Sequence, residues 1–152
     1  MSFVQSDPLS RATTPVPDLR VVPIGRMVAE GRWRIEAMRS YDRPVLIWFT
    51  RGQGRITIAG AQRGYGPHNA IFLPRGTMHG FDTIGQVFGT ILHLPRGSED
   101  QWPDSPVHLR LRDAQPQGEL TALIDSAERE LAGDLPGRAR ALESITGMIS
   151  LT

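Results

Sequence analysis

Two residue types that carry much of protein side-chain chemistry are missing from this 152-residue chain. There is no cysteine, and all 17 basic residues are arginine. The first absence excludes thiol catalysis, disulfide frameworks and Cys-based zinc sites. The second excludes Schiff-base chemistry, lysine nucleophiles and a P-loop lysine. No apolar run approaches the ~18 residues of a membrane span. No basic-then-apolar leader opens the chain, so the expectation is a soluble cytoplasmic protein without a membrane partner. What is present is globular: 39% hydrophobic and 22% charged residues, in a chain long enough to bury a core without a staple.

The net charge of +1 is unevenly distributed. Residues 21–112 hold 12 arginines against seven acids, and residues 113–152 hold three against seven. No Arg-rich helix or basic run gives a nucleic-acid-binding balance. A basic middle favours an anionic ligand there, although two ordinary solvated surfaces explain the same pattern.

The organisation reads in three parts. Residues 1–19, with Pro8, Pro15 and Pro17, form an irregular arm. Residues 20–112 read as strand, turn, strand, with ten of the 16 glycines between positions 51 and 100, the turn density of a small β-sandwich or barrel. Expected strands are Arg20–Ile24, Arg32–Arg39, Val45–Thr50, Arg55–Ala59, Ala70–Leu73, His79–Thr83, Gln86–Leu94 and Val107–Leu111. Val45–Thr50 is apolar throughout, which suits a strand covered on both faces. Gly52–Gln53–Gly54 reads as a tight turn. Residues 113–152 switch to helical spacing. Leu120, Leu123, Ile124, Ala127 and Leu131 form one apolar stripe, and Leu142, Ile145, Met148 and Ile149 form a second. The second stripe runs uncapped to Thr152, and the expectation is a piece of a longer protein.

Pro74–Arg75–Gly76–Thr77–Met78–His79–Gly80–Phe81 reads P-x-G-x-x-H-x-F. Pro and Gly turn the corner, and the following strand places His79 and Phe81 on one face. With the earlier Thr50–Arg51–Gly52–Gln53–Gly54, this segment resembles the cupin superfamily. More narrowly, TRGQG, then LPRGTMHGF, then a two-helix tail resembles the N-terminal sensing domain of AraC-family transcription regulators. Ser6–Asp7–Pro8–Leu9 also resembles that family's arm. The resemblance implies a mostly β, cupin-like double-stranded barrel followed by two C-terminal α-helices.

The departures from the pattern matter as much. Counting back from Gly52, the places of three metal ligands hold Val45, Tyr41 and Arg39, leaving His79 alone. Useful binding of Zn, Fe or Mn takes three or four protein ligands, so no metal and no cofactor is expected. The glycine usual six residues before Pro74 is His68.

The strand parity that carried the ligands holds Arg39, Tyr41, Ile47 and Phe49. Arginine offers a planar fork for a carboxylate, phosphate or diol. Tyr41 and His79 add hydrogen bonds, and Phe81 and Trp33 add apolar surface. The resemblance to sugar-sensing relatives adds Phe88 and Thr90, on the strand after His79. Bland alternatives stand beside these. His79 could be a core histidine bonded to a backbone carbonyl. Arg39 could pair in solvent with Asp42 or Glu36. Trp33 could be core.

The leading reading is a sensor that binds a small-molecule effector in the barrel. It homodimerises through Leu120, Leu123, Ile124, Ala127, Leu131, Leu142, Ile145 and Ile149. It contacts promoter DNA only through a helix-turn-helix domain outside this chain. The tail stripes could instead pack on the barrel's own outer face. The rivals are a metal-free cupin enzyme, an isomerase or epimerase of sugar-like substrates with His79 as base and Tyr41 as acid, and a plain interaction domain with a filled barrel.

Overall fold

A computed structural model describes residues 19–130 of the chain. Along the sequence these form β1 (Arg20–Pro23), α1 (Ile24–Ala29), α2 (Trp33–Glu36), β2 (Val45–Ile58), β3 (Ala61–Tyr65), β4 (Asn69–Leu73), β5 (His79–Phe81), β6 (Ile84–His93), a 3₁₀ turn (Glu99–Gln101), β7 (Val107–Arg110) and α3 (Ala114–Glu130). The class is mostly antiparallel β with a few helices, as expected.

The long β2 organises the fold because it belongs to two sheets. Its first half, Val45–Phe49, sits between β4 and β6 in a sheet ordered β1-β6-β2-β4-β7. Its second half, Gly54–Ile58, pairs with β3, and Ile56–Ile58 pair with β5 on the other side. Register shifts between Phe49 and Arg51 and between Arg51 and Gln53 mark the passage. Such bulges bend a strand and increase its local twist.

Both faces of the larger sheet are buried, which explains the unbroken apolar run of Val45–Phe49. Odd-numbered Val45, Ile47 and Phe49 join Ile71, Leu73 and Ile91 in the interior, with Ile56, Ile58, Tyr65 and Phe81 from the smaller sheet. Even-numbered Leu46 and Trp48 join Ala70, Phe72 and Leu92 on the opposite face. Trp102 and the α3 residues Leu120 and Ile124 cover that face. The Trp48 indole N–H also donates to Thr121 Oγ1 at 3.3 Å. Leu120 and Ile124 were expected in a dimer stripe, but they are buried within their own chain (0% and 3% exposed). Leu123 and Ala127 lie on the same helix. The N-terminal arm as far as residue 18, and Leu131, Leu142, Ile145 and Ile149, lie outside the described residues.

Three expectations need correction. The segment Arg32–Arg39 is not a strand: four residues form α2, and Arg39 makes an isolated bridge to His79. Alternation over so few residues also fits one helical turn, with Ile35 buried and Trp33 outside. Gly52–Gln53–Gly54 is not a turn but the crossing point of β2. Glycine is required there because a Cβ on Gly52 (φ 94°) or Gly54 would strike the Gln86 or Asp82 carbonyl oxygen, respectively. The hairpin turn lies instead at Ala59–Gly60, where both residues have positive φ (48° and 87°), as a two-residue connection demands. The third correction adds elements: α1 and β3 were not anticipated. No helix among the described residues is long and apolar enough to cross a membrane.

Candidate functional site

The expected corner is present and sets up the site. Thr77 N–H closes the turn onto the Pro74 carbonyl at 3.2 Å, and Gly76 N–H donates to the Tyr41 carbonyl at 2.9 Å. Gly76 has φ 81°, which glycine adopts without strain. The segment before β2 is therefore stitched to the turn before β5. Arg39 and His79 then exchange backbone hydrogen bonds in both directions, at 2.9 and 2.8 Å. Residues directly opposite in an antiparallel pair project to one face. Arg39 and His79 thus come together by a local bridge rather than by the long strand expected.

His79 is buried, with Nδ1 3.0 Å from the Thr77 carbonyl oxygen. Burial holds its imidazole below the usual histidine range; the Thr77 bond opposes this, and the nearby Arg39 charge adds to it. Tyr41 links two histidines: its ring centroid lies 5.3 Å from that of His79 and 4.8 Å from that of His93, the latter edge-on. Arg39 pairs with neither Asp42 nor Glu36. Its guanidinium donates to the Trp33 carbonyl at 3.0 Å and the Ala37 carbonyl at 3.3 Å.

The other expected site residues do not converge with these. Ile47, Phe49 and Phe81 are interior core. Phe49 stacks on Tyr65 with centroids 3.9 Å apart, and Phe81 meets Phe49 edge-on at 5.4 Å. These rings fill the space in which an effector was expected. Phe88 and Thr90 take the opposite parity on β6 from the inward Val87 and Ile91. Phe88 is 45% exposed and carries the Arg51 guanidinium 5.9 Å from its ring centre. Trp33 is 61% exposed, on the outer side of α2.

A cleft of about 320 Å³ opens beside Arg39 and Tyr41, where β1 and α1 meet the ends of β2 and β6. Its wall includes Arg39, Tyr41 and the apolar Val21 and Met27. It also includes His93 and Arg20, Arg26, Arg34, Arg43 and Arg96, which sequence reasoning did not select. Arg20 stands directly across from His93 in the β1–β6 ladder. Only the basic balance of residues 21–112 hinted at this cluster. His93 is pushed down to about 4, by burial first and then by the charges of Arg43, Arg20 and Arg96, with Asp42 opposing.

The site does not fit a resident metal. Guanidinium groups surround His93, and its ring neighbour is Tyr41. Among the described residues no group of three or more His, Cys, Asp or Glu is placed to hold a metal ion.

No protein-family model matches the chain, and no curated protein matches it. Solved structures with a similar fold do exist. The AraC-like transcriptional activator CuxR is 16% identical, with 74% of this chain and 45% of that chain covered and a TM-score of 0.49. KdgF from Halomonas sp. is 23% identical over 41% of this chain and 58% of its own, with a TM-score of 0.38. A cupin protein from Bacteroides fragilis is 15% identical over 64% of this chain and 84% of its own, with a TM-score of 0.38. The chain thus spans about half the length of CuxR and somewhat more of KdgF. The fold of the described residues is mostly antiparallel β with a few helices.

Proposed function

We propose that this chain is a small-molecule-sensing domain of an AraC-type transcription regulator. The single observation that carries the reading is the cleft bounded by Arg39, Tyr41 and His93, an open concavity with convergent polar groups beside a packed barrel interior. Sites for small ligands have this character, a shaped hollow with a few placed polar groups. The motif pair TRGQG and LPRGTMHGF supports the regulator assignment. Homodimerisation and DNA recognition by a further domain belong to the same proposal.

The mechanism is a population shift. An effector that prefers one arrangement of arm, barrel and tail moves the equilibrium by that difference in affinity alone. The test is a thermal-shift screen of sugars, aromatic acids, amino acids and organic phosphates on the native chain and on Tyr41→Ala. A compound that raises Tm in the native chain, loses that effect in Tyr41→Ala and changes the sedimentation of the native protein supports a sensor. Catalytic turnover of a bound compound would assign the chain to the enzymes instead.

A further inference from the structure

We propose that the cleft binds a small, multiply charged oxyanion of the phosphate-monoester class, gripped by Arg20 and Arg26 beside Tyr41 and His93. The proposal rests on the sensor reading of the cleft and specifies its ligand.

The argument begins with charge. Among the described residues, six guanidinium groups line the cleft against two carboxylates, those of Glu30 and Asp42. Both acids are engaged: Arg34 Nε lies 3.0 Å from Glu30, and Arg96 Nε lies 3.0 Å from Asp42. Arg39 donates to two backbone carbonyls. Arg43 donates to the Leu94 carbonyl at 2.7 Å and the His93 carbonyl at 3.4 Å. The carbonyls on Arg39 satisfy its hydrogen bonds but bring no counter-charge. Arg20 and Arg26 form no side-chain hydrogen bond or ion pair with another described residue, and both border the cleft.

Cationic groups surround the imidazole on the cleft wall. Arg20 faces His93 from β1, Arg43 and Asp42 from the segment before β2, and Arg96 from the turn after β6, with the Tyr41 ring edge-on. Burial first, and then these cations against one carboxylate, keep His93 neutral down to about pH 4. A neutral sugar would leave this charge in place, and a monocarboxylate would offset one unit of it. A phosphate monoester carries roughly −1.5 to −2 at neutral pH and offers three acceptor oxygens, which suit planar guanidinium forks. A volume of about 320 Å³ admits a small molecule.

The test is calorimetric titration of the native chain with glycerol phosphate, glycerol and succinate at fixed ionic strength. It is repeated on Arg20→Ala, Arg26→Ala and, as a control, Arg75→Ala, whose side chain lies by Glu99 outside the cleft. Glycerol phosphate should bind and glycerol should not. Each cleft variant should weaken binding roughly tenfold or more, the scale of one lost charged hydrogen bond, and Arg75→Ala should leave it unchanged. The His93 imidazole resonance should titrate at higher pH once the anion is bound, since the anion offsets its cationic neighbours. Binding of succinate alone would overturn the phosphate class. No binding at millimolar concentration, or binding indifferent to both cleft variants, would overturn the site. If an uncharged compound then stabilised the chain through Tyr41, the sensor reading would survive without this inference.

Discussion

His68 occupies the left-handed region at φ 63°, a conformation glycine adopts freely and histidine tolerates better than most residues. It sits in the turn between β3 and β4, where the cupin pattern has glycine. Its amide donates to the Phe49 carbonyl at 2.7 Å, and its carbonyl accepts from Leu111 N–H at 3.0 Å. Its ring lies 6.1 Å from that of Trp48. The turn is thus preserved, held by two long-range backbone bonds. A β-branched side chain cannot follow it there without strain. His68→Val should cost about 1–2 kcal/mol, read as a fall in urea midpoint at constant slope, whereas His68→Asn should stay close to the parent. The sequence flags position 68 as a departure but not its consequence, because φ is set by tertiary bonds to Phe49 and Leu111. The site residues were legible in the same partial way. His79 stands out by its spacing from the Pro74–Gly76 corner, and Arg39 and Tyr41 only through the family resemblance, by counting back from Gly52. His93 meets Arg20 only because β1 pairs with β6, and no local pattern signals that pairing.

Among the elements, β2 carries the fold across two sheets, and Gly54 is where it has least room. A Cβ there would meet the Asp82 carbonyl oxygen and the Tyr65 hydroxyl, whose O–H donates to that same carbonyl. Gly64, on the paired strand β3, faces open space, with its nearest neighbour 3.9 Å away. Gly54→Ala should therefore destabilise by about 1–3 kcal/mol through overpacking, with Gly64→Ala the milder substitution in the same thermal melts. Equal effects of the two would show that the crossing relaxes without cost. Runs that are apolar on both faces, such as Val45–Phe49 and Ala70–Leu73, were legible because their neighbours leave no polar side to confuse the period. The segment Arg32–Arg39 was not, because α2 is one turn long and Trp33 breaks the rule that large aromatics lie inside. The glycine pair at 52 and 54 misled for a physical reason: close approach and a turn call for the same residue.

The molecule as a whole holds three imidazoles, those of His79, His93 and His108, below the usual histidine range, and this sets its response to acid. His93 and His108 both sit at about 4 rather than 6.5, burial being the largest cause for each. For His108 the charges of Arg110 and Arg63 add to burial, and its Nε2 lies 2.8 Å from Asn69 Oδ1. Between these two values the unfolded chain holds protons on both rings and the folded chain does not. Stability therefore rises with pH across that window. On acidification it is retained above about pH 6.5, declines through the fifth and sixth pH units and levels off, for these groups, below about 4. Asp42 acts lower: the hydrogen bond from Arg96 is the largest cause holding its carboxyl below 3.8, so its contribution is lost only beneath that value. Thermal melts at pH 7, 5.5 and 4.5 should show Tm falling at each step, with His93→Gln falling less because one of the titrating groups is gone. A saturating oxyanion in the arginine cleft should flatten the profile in the same direction as His93→Gln, since it lifts the folded-state midpoint of His93 toward the unfolded one. A native profile that is flat from pH 7 to 4.5 would show that these imidazoles are not held neutral in the folded chain.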